Sequence, residues 1–93
     1  MSEILKYSNP SKVYSKAKRY FGDDVKIKLS TRKDKKYMIL NDKNKWVHFG
    51  QYPYQDYTKH GDVKRLYNFR NRNAKWLDRD IFSPAYLSYI LLW

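Results

Sequence analysis

Charge is confined to blocks along this chain, and the confinement limits where a core can come from. Six cations against one anion fall in residues 25–36, and seven against two in residues 59–79. Residues 37–58 balance at two of each, and residues 80–93 carry a single acid. Lysine and arginine resist full burial unless paired. The core must therefore draw on the neutral aromatic middle, the apolar end, and one face of each element the basic stretches form. Ninety-three residues hold a single domain. At this length a folded chain buries roughly 65% of its unfolded surface, enough to fold without staples.

Hydrophobic residues at 42% and aromatics at 18%, ten of them Tyr, are too plentiful for a disordered basic tail. The absence of cysteine excludes a disulfide framework, a Cys-based zinc site and a thiol nucleophile. Met1 to Lys6 lacks the apolar run of a signal peptide, and the apolar stretch Tyr89 to Trp93 is too short to span a bilayer. A soluble intracellular protein with no membrane partner is expected.

The first element reads as a helix from an N-cap at Asn9, with Pro10 in its first turn, to Gly22. Val13, Ala17, Tyr20 and Phe21 fall on one face, and Lys12, Lys16 and Arg19 form a cationic stripe on another. Val25 to Leu29 alternates strictly, with Val25, Ile27 and Leu29 inward, as a half-exposed or edge strand does. Ser30 to Lys36 has no apolar residue and reads as a solvated connection carrying Arg32, Lys33, Lys35 and Lys36. Tyr37–Leu40 and Trp46–Phe49 are β-prone runs joined by Asn41–Lys45, a hairpin link. Gly50 should end the second run, and Gln51–Tyr57 should be an aromatic loop interrupted by Pro53.

A second helix is predicted from Asp62 to about Ala74, with Val63, Leu66, Tyr67 and Phe69 inward and Lys64, Arg65, Arg70 and Arg72 outward. Ser83 and Pro84 start the last one. Leu87, Ile90 and Leu91 make one of its faces, and Tyr86, Tyr89 and Trp93 another. A helix apolar on two faces needs two partners. The sheet is one; the other is either a second subunit, giving a homodimer through Tyr89, Leu92 and Trp93, or the Tyr57–Trp76 region of the same chain. The expected fold is α+β: a small three-stranded antiparallel sheet with an N-terminal helix and two C-terminal helices, in the order α-β-β-β-α-α.

Enzymatic chemistry has a thin supply of residues here. There are two histidines, one glutamate, no glycine-rich phosphate loop and no H-E-x-x-H pair. His60 and Asp62 could form a metal half-site or a proton-transfer pair, but Asp62 as a helix cap with His60 in the turn is the commoner arrangement. His48, inside a strand, reads as a hydrogen-bonded structural residue. A metal-dependent nuclease built on scattered Asp56, Asp62 and lysines is a further alternative, although nothing in the spacing asks for it. No enzyme, metal, cofactor or small-molecule substrate is expected.

Binding to nucleic acid needs only clustered cations on a rigid support. Lys12, Lys16 and Arg19, then Arg32, Lys33, Lys35 and Lys36, then Lys64, Arg65, Arg70 and Arg72 meet that need. Lysines outnumber arginines fourteen to six, which suits backbone contact better than bidentate base reading. Stacking on unpaired bases by Trp46, Tyr52, Tyr54 or Tyr57 is a variant; filling the core and its rim is their commoner role. An assembly protein whose charge packs against acidic partners is the alternative.

Several strings carry a resemblance: Lys36–Ile39, Lys45–Gln51 with its W-V-H-F-G core, Asp56–His60 with D-Y-T-K-H, Asn68–Ala74, Ser83–Ser88 and Leu91–Trp93. Over roughly residues 25–93 the chain resembles a family of small basic proteins from large double-stranded DNA viruses of eukaryotes, the marseillevirus and mimivirus groups among them. The resemblance implies a viral origin and a place in the virion, the viral factory or the nucleus of an infected cell, with DNA ahead of RNA as partner. It carries no catalytic residues. Trp46, His48, Tyr57, His60 and Asp62, within or beside its two most specific strings, are expected to be architectural and to knit the sheet to the loop before the second helix.

Overall fold

A computed structural model describes residues 2–78 and 80–93, with side chains from residue 4 onward. After a short 3-10 turn, Ser2–Lys6, helix α1 spans Pro10–Phe21. Asn9 caps it by accepting the Lys12 N–H at 3.3 Å, and Gly22, at φ +97°, returns its own N–H to the Lys18 carbonyl. Strands β1 (Ile27–Leu29), β2 (Lys35–Leu40) and β3 (Trp46–Gln51) form one antiparallel sheet in the order β1-β2-β3. The register pairs Ile27 with Ile39 and Tyr37 with Phe49. Asn41 sets the hairpin link, its side chain accepting from the N–H groups of Lys43 and Lys45. Asn44 takes the left-handed conformation there, at φ +65°.

Beyond the sheet come a single helical turn α2 (Tyr57–His60), helix α3 (Val63–Asn73), a 3-10 turn (Ala74–Asp78), and a last helix that starts as α4 (Pro84–Leu87) and widens to a π turn (Ser88–Leu92). Ser83 caps α4 through the Tyr86 N–H. The α+β architecture and its α-β-β-β-α-α order are those expected.

The core lies between one face of the sheet and the helices towards the two ends of the chain. Tyr37, Ile39 and Phe49 meet Val13 and Ala17 of α1 and Leu87, Leu91 and Leu92 of the last helix, with Ile4 at the edge. Tyr14 and Tyr37 meet edge-on, and Phe21 stacks on Phe82.

Four details depart from the periodic reading. Tyr20 is exposed, because the α1 face that packs is narrow. Leu29 is exposed at the end of an edge strand only three residues long. On α3, Val63 and Tyr67 are 53% and 65% exposed and no residue is fully buried. The helix touches the rest through Leu66 and Phe69 alone among its expected inward residues, so its apolar spacing overstates its burial. Finally, β3 does not stop at Gly50 but runs through it at φ +83°. A Cβ there would stand 3.0 Å from Cβ of Lys36 and 3.1 Å from Cδ1 of Leu92, so both the backbone and the space require glycine.

Candidate functional site

Lys36 and Tyr37 open the way to the least expected feature. Lys36 is 3% exposed and forms an ion pair of 3.1 Å with Asp56, itself 1% exposed. Its Nζ also donates to the carbonyl oxygens of Tyr54 and Tyr7. Tyr37 donates to Ser8 Oγ at 2.6 Å, and Ser8 lies 3.1 Å from Thr58 Oγ1. Thr58 in turn donates to Asp56 Oδ1 and accepts the Asn9 N–H. Because the Thr58 proton goes to Asp56, the Ser8 hydroxyl is left to donate to Thr58. The donors then point one way, from Tyr37 through Ser8 and Thr58 to the carboxylate.

Burial lowers the Lys36 ammonium below the usual lysine range, against the opposing pull of Asp56. Burial also pushes the Tyr37 phenol far above its usual range. This network ties the N-terminal segment, the sheet and the loop before α2 together. It removes Lys36 from the exposed cations among which it was expected: a buried, paired lysine at the start of the central strand cannot grip a phosphate.

Of the residues expected to knit the sheet to the loop before α3, Trp46 and His48 meet β1 and the residue that follows it, whereas Tyr57 and His60 meet each other and the last helix. Asp62 accepts the N–H groups of Lys64 and Arg65 and so caps α3. His60 Nδ1 accepts the Asp62 N–H at 2.9 Å, which puts the ring proton on Nε2. Burial, then Arg65, lowers the His60 pKa. Tyr57 meets His60 edge-on, and His60 meets Trp93. His48 Nδ1 lies 2.6 Å from Ser30 Oγ, which also accepts the Arg32 N–H, and so fixes the start of the basic loop. Trp46 is 40% exposed beneath the Lys28 ammonium, 4.9 Å from its ring centroid.

The residues considered for a dimer are used within the chain. Leu92 is buried in the core. Trp93 stacks face to face on Phe69 at 4.3 Å, with the rings 6° apart. Tyr89 lies 6.0 Å from Phe69 and 5.9 Å from the Arg70 guanidinium, whose Nη2 also donates to the Trp93 main-chain oxygen. The second partner of the C-terminal helix is thus the Tyr57–Trp76 region of the same chain.

That packing leaves a half-open groove of about 540 Å³ between α3, the end of β3 and the last helix. Lys35 lines it from the first basic block, and Arg65 and Arg72 from the second. Tyr54, Phe69, Trp76 and Trp93 supply its rings. A second groove, about 470 Å³, is lined by Arg32, Lys33 and Lys35 with Tyr52 and Pro53. Lys35 belongs to both. On α1, Lys12 and Arg19 are exposed and Lys16 is half-buried. Burial lowers the Lys16 pKa first, and the positive field of Arg70, Arg19 and Lys12 lowers it further. The α1 stripe therefore shares a field with α3. Lys64 is exposed but lines neither groove.

The model of a family of unknown function, DUF5754, matches residues 25–73, more than half of the chain. The chain belongs to that family. No curated protein and no solved structure matches it. In this DUF5754 chain the matched segment runs from the residues just before β1 to the end of α3 and contains the Lys36–Asp56 pair, Lys35, Arg65 and Arg72. Among the described residues no three His, Asp or Glu side chains stand together as metal ligands, and no helix is long and apolar enough to cross a membrane.

Sequence reasoning weighed Asp56 only for a nuclease and passed over Trp76 as a groove residue. Asp56 is an acid within an otherwise neutral aromatic stretch, and that isolation was its signal. Trp76 sits inside the second basic block, where an aromatic flanked by cations marks the site type that Tyr54 and Trp46 were considered for.

Proposed function

We propose that this DUF5754 chain binds nucleic acid through its phosphates, with little selection among sequences and with DNA as the polymer in the cell. The observation that carries the reading is the meeting of Lys35 with Arg65 and Arg72 along one groove, although about thirty residues of neutral sequence and helix start separate them in the chain. Cations that only kept the protein in solution would have no reason to converge, and convergence costs repulsion that a polyanion relieves. Lys16, whose pKa is lowered first by burial and then by Arg70, adds a cation on the α1 side within the field of α3. The resemblance to small basic proteins of large DNA viruses supports DNA, and a task in the virion or viral factory, where genome charge must be neutralised.

The test is fluorescence anisotropy with a labelled duplex across a salt series. Log affinity should fall linearly with log salt, and Arg65→Ala with Arg72→Ala should reduce the slope by about two, one for each phosphate left without its arginine. Absence of binding to both the duplex and a single strand of equal length at about 50 mM salt, where such interactions are strong, would refute the reading.

A second reading, a protein-interaction module without nucleic acid, is favoured by the exposed Val63 and Tyr67 of α3 together with exposed Leu77 and Ile81. Sedimentation without nucleic acid separates the two.

A further inference from the structure

We infer that the groove beside α3 holds an unpaired nucleobase, so that the strand bound there is single. This rests on the nucleic-acid reading above and specifies its site. The groove combines two chemistries that one ligand class satisfies together. Lys35, Arg65 and Arg72 demand an anion. The rings of Phe69, Trp76 and Trp93 demand a flat apolar body. Its volume, about 540 Å³, falls within the range of small-molecule pockets and exceeds what a bare phosphate would fill. An inorganic anion would leave the rings unused, and an uncharged aromatic would leave the cations unrelieved.

Arrangement along α3 argues for a polymer over a free nucleotide. Arg65 and Arg72 stand seven residues apart on one helix, about 10 Å along its axis. The two guanidiniums can therefore serve different phosphates of one strand.

Tyr54, 66% exposed, presents a further ring at this groove; among the three rings packed beside α3, geometry selects the stacking residue. Phe69 and Trp93 spend a face on each other. Trp76 meets Phe69 at 78°, which leaves at least one face of the half-buried indole uncovered by that ring. In a duplex both faces of each base are already covered by its neighbours, so only an unpaired base can offer a face to Trp76. Asn68, also on the groove wall, has both a donor and an acceptor for a base edge.

The test uses the full chain and three labelled probes at about 50 mM salt: an oligothymidylate, an abasic oligomer of equal length, and a duplex. The first two carry the same phosphates and differ only in bases. The thymidylate should bind about five- to 150-fold more tightly than the abasic strand, the range for one stacked base. Trp76→Ala should bring the thymidylate down to the abasic affinity while leaving the abasic affinity and the salt slope unchanged, since no charge is altered. Trp76→Phe should restore most of the difference, which also shows that the position tolerates change without unfolding.

Equal affinity of the wild type for thymidylate and abasic strands, with steep salt dependence, overturns the stacking inference and keeps the phosphate reading. Equal losses on both probes in Trp76→Ala overturn it as well. Failure to bind any of the three probes overturns both.

Discussion

Replacing Asp56 by alanine tests whether the buried ion pair at the start of the central strand holds the structure together. Both side chains are at most 2% exposed, so the Lys36 ammonium would lose its carboxylate partner where water cannot replace it. Two carbonyl oxygens, of Tyr7 and Tyr54, would remain to it, and the Thr58 hydroxyl would lose its acceptor. Breaking a buried pair from one side costs about 3–5 kcal/mol. A chain of this length has about 5–14 kcal/mol of stability in all. The substitution should therefore remove between a quarter and nearly all of it. Urea unfolding followed by tryptophan fluorescence should show the midpoint falling by more than about 1 M with little change in slope. The informative control removes both charges: Lys36→Met with Asp56→Leu should recover most of the loss, because an apolar pair of similar volume avoids desolvation altogether. A loss in Asp56→Ala below about 1 kcal/mol, the value of an exposed pair, would refute the argument. So would a double variant no more stable than the single one.

Tyr37 should govern stability in alkali. Its folded pKa lies above the unfolded value of 10, so its contribution is fully present below pH 10 and is lost as pH rises beyond it. Stability should then decline by up to about 1.4 kcal/mol per pH unit on its account, and Tyr37→Phe should flatten that limb; an unchanged limb would show that the phenol is not held protonated. Gly50→Ala should lower the melting temperature, by about 1–2 kcal/mol of stability for the left-handed backbone alone and by more for the close approach to Lys36 and Leu92; an unaltered melting temperature would show that the strand can relax there.

Legibility in the sequence followed the range of each interaction. Asn9, Pro10 and Gly22 mark α1, and Ser83 and Pro84 mark α4, through contacts within a few residues, so their ends could be read directly. The hairpin follows from two β-prone runs joined by the turn-rich link Asn41–Lys45. Asp62 and His60 do what a local cap does. Periodicity misled where it stood in for tertiary contact: Tyr67 and Val63 have inward spacing on α3 but are more than half exposed. The pairing of Lys36 with Asp56 crosses twenty residues and the bonding of Tyr37 to Ser8 crosses twenty-nine, and neither leaves a pattern in composition or spacing. The groove was half legible. Its cations were visible in the basic blocks, whereas its rings depended on how the last helix meets α3.

The position of the core between α1 and the last helix bears on how quickly this protein can fold. The hairpin of β2 and β3 closes over a five-residue link and can form within microseconds. Its cover cannot. Val13 and Ala17 reach their partners Leu87 and Leu91 only when segments more than sixty-five residues apart in sequence come together. Ordering that distance carries a closure entropy before any apolar contact offsets it, which is the circumstance that slows folding in chains of high contact order. Until the two helices meet, Tyr37, Ile39 and Phe49 stand open to water. During synthesis the first helix must wait for the last, and the sheet between them remains adhesive until that helix has left the ribosome.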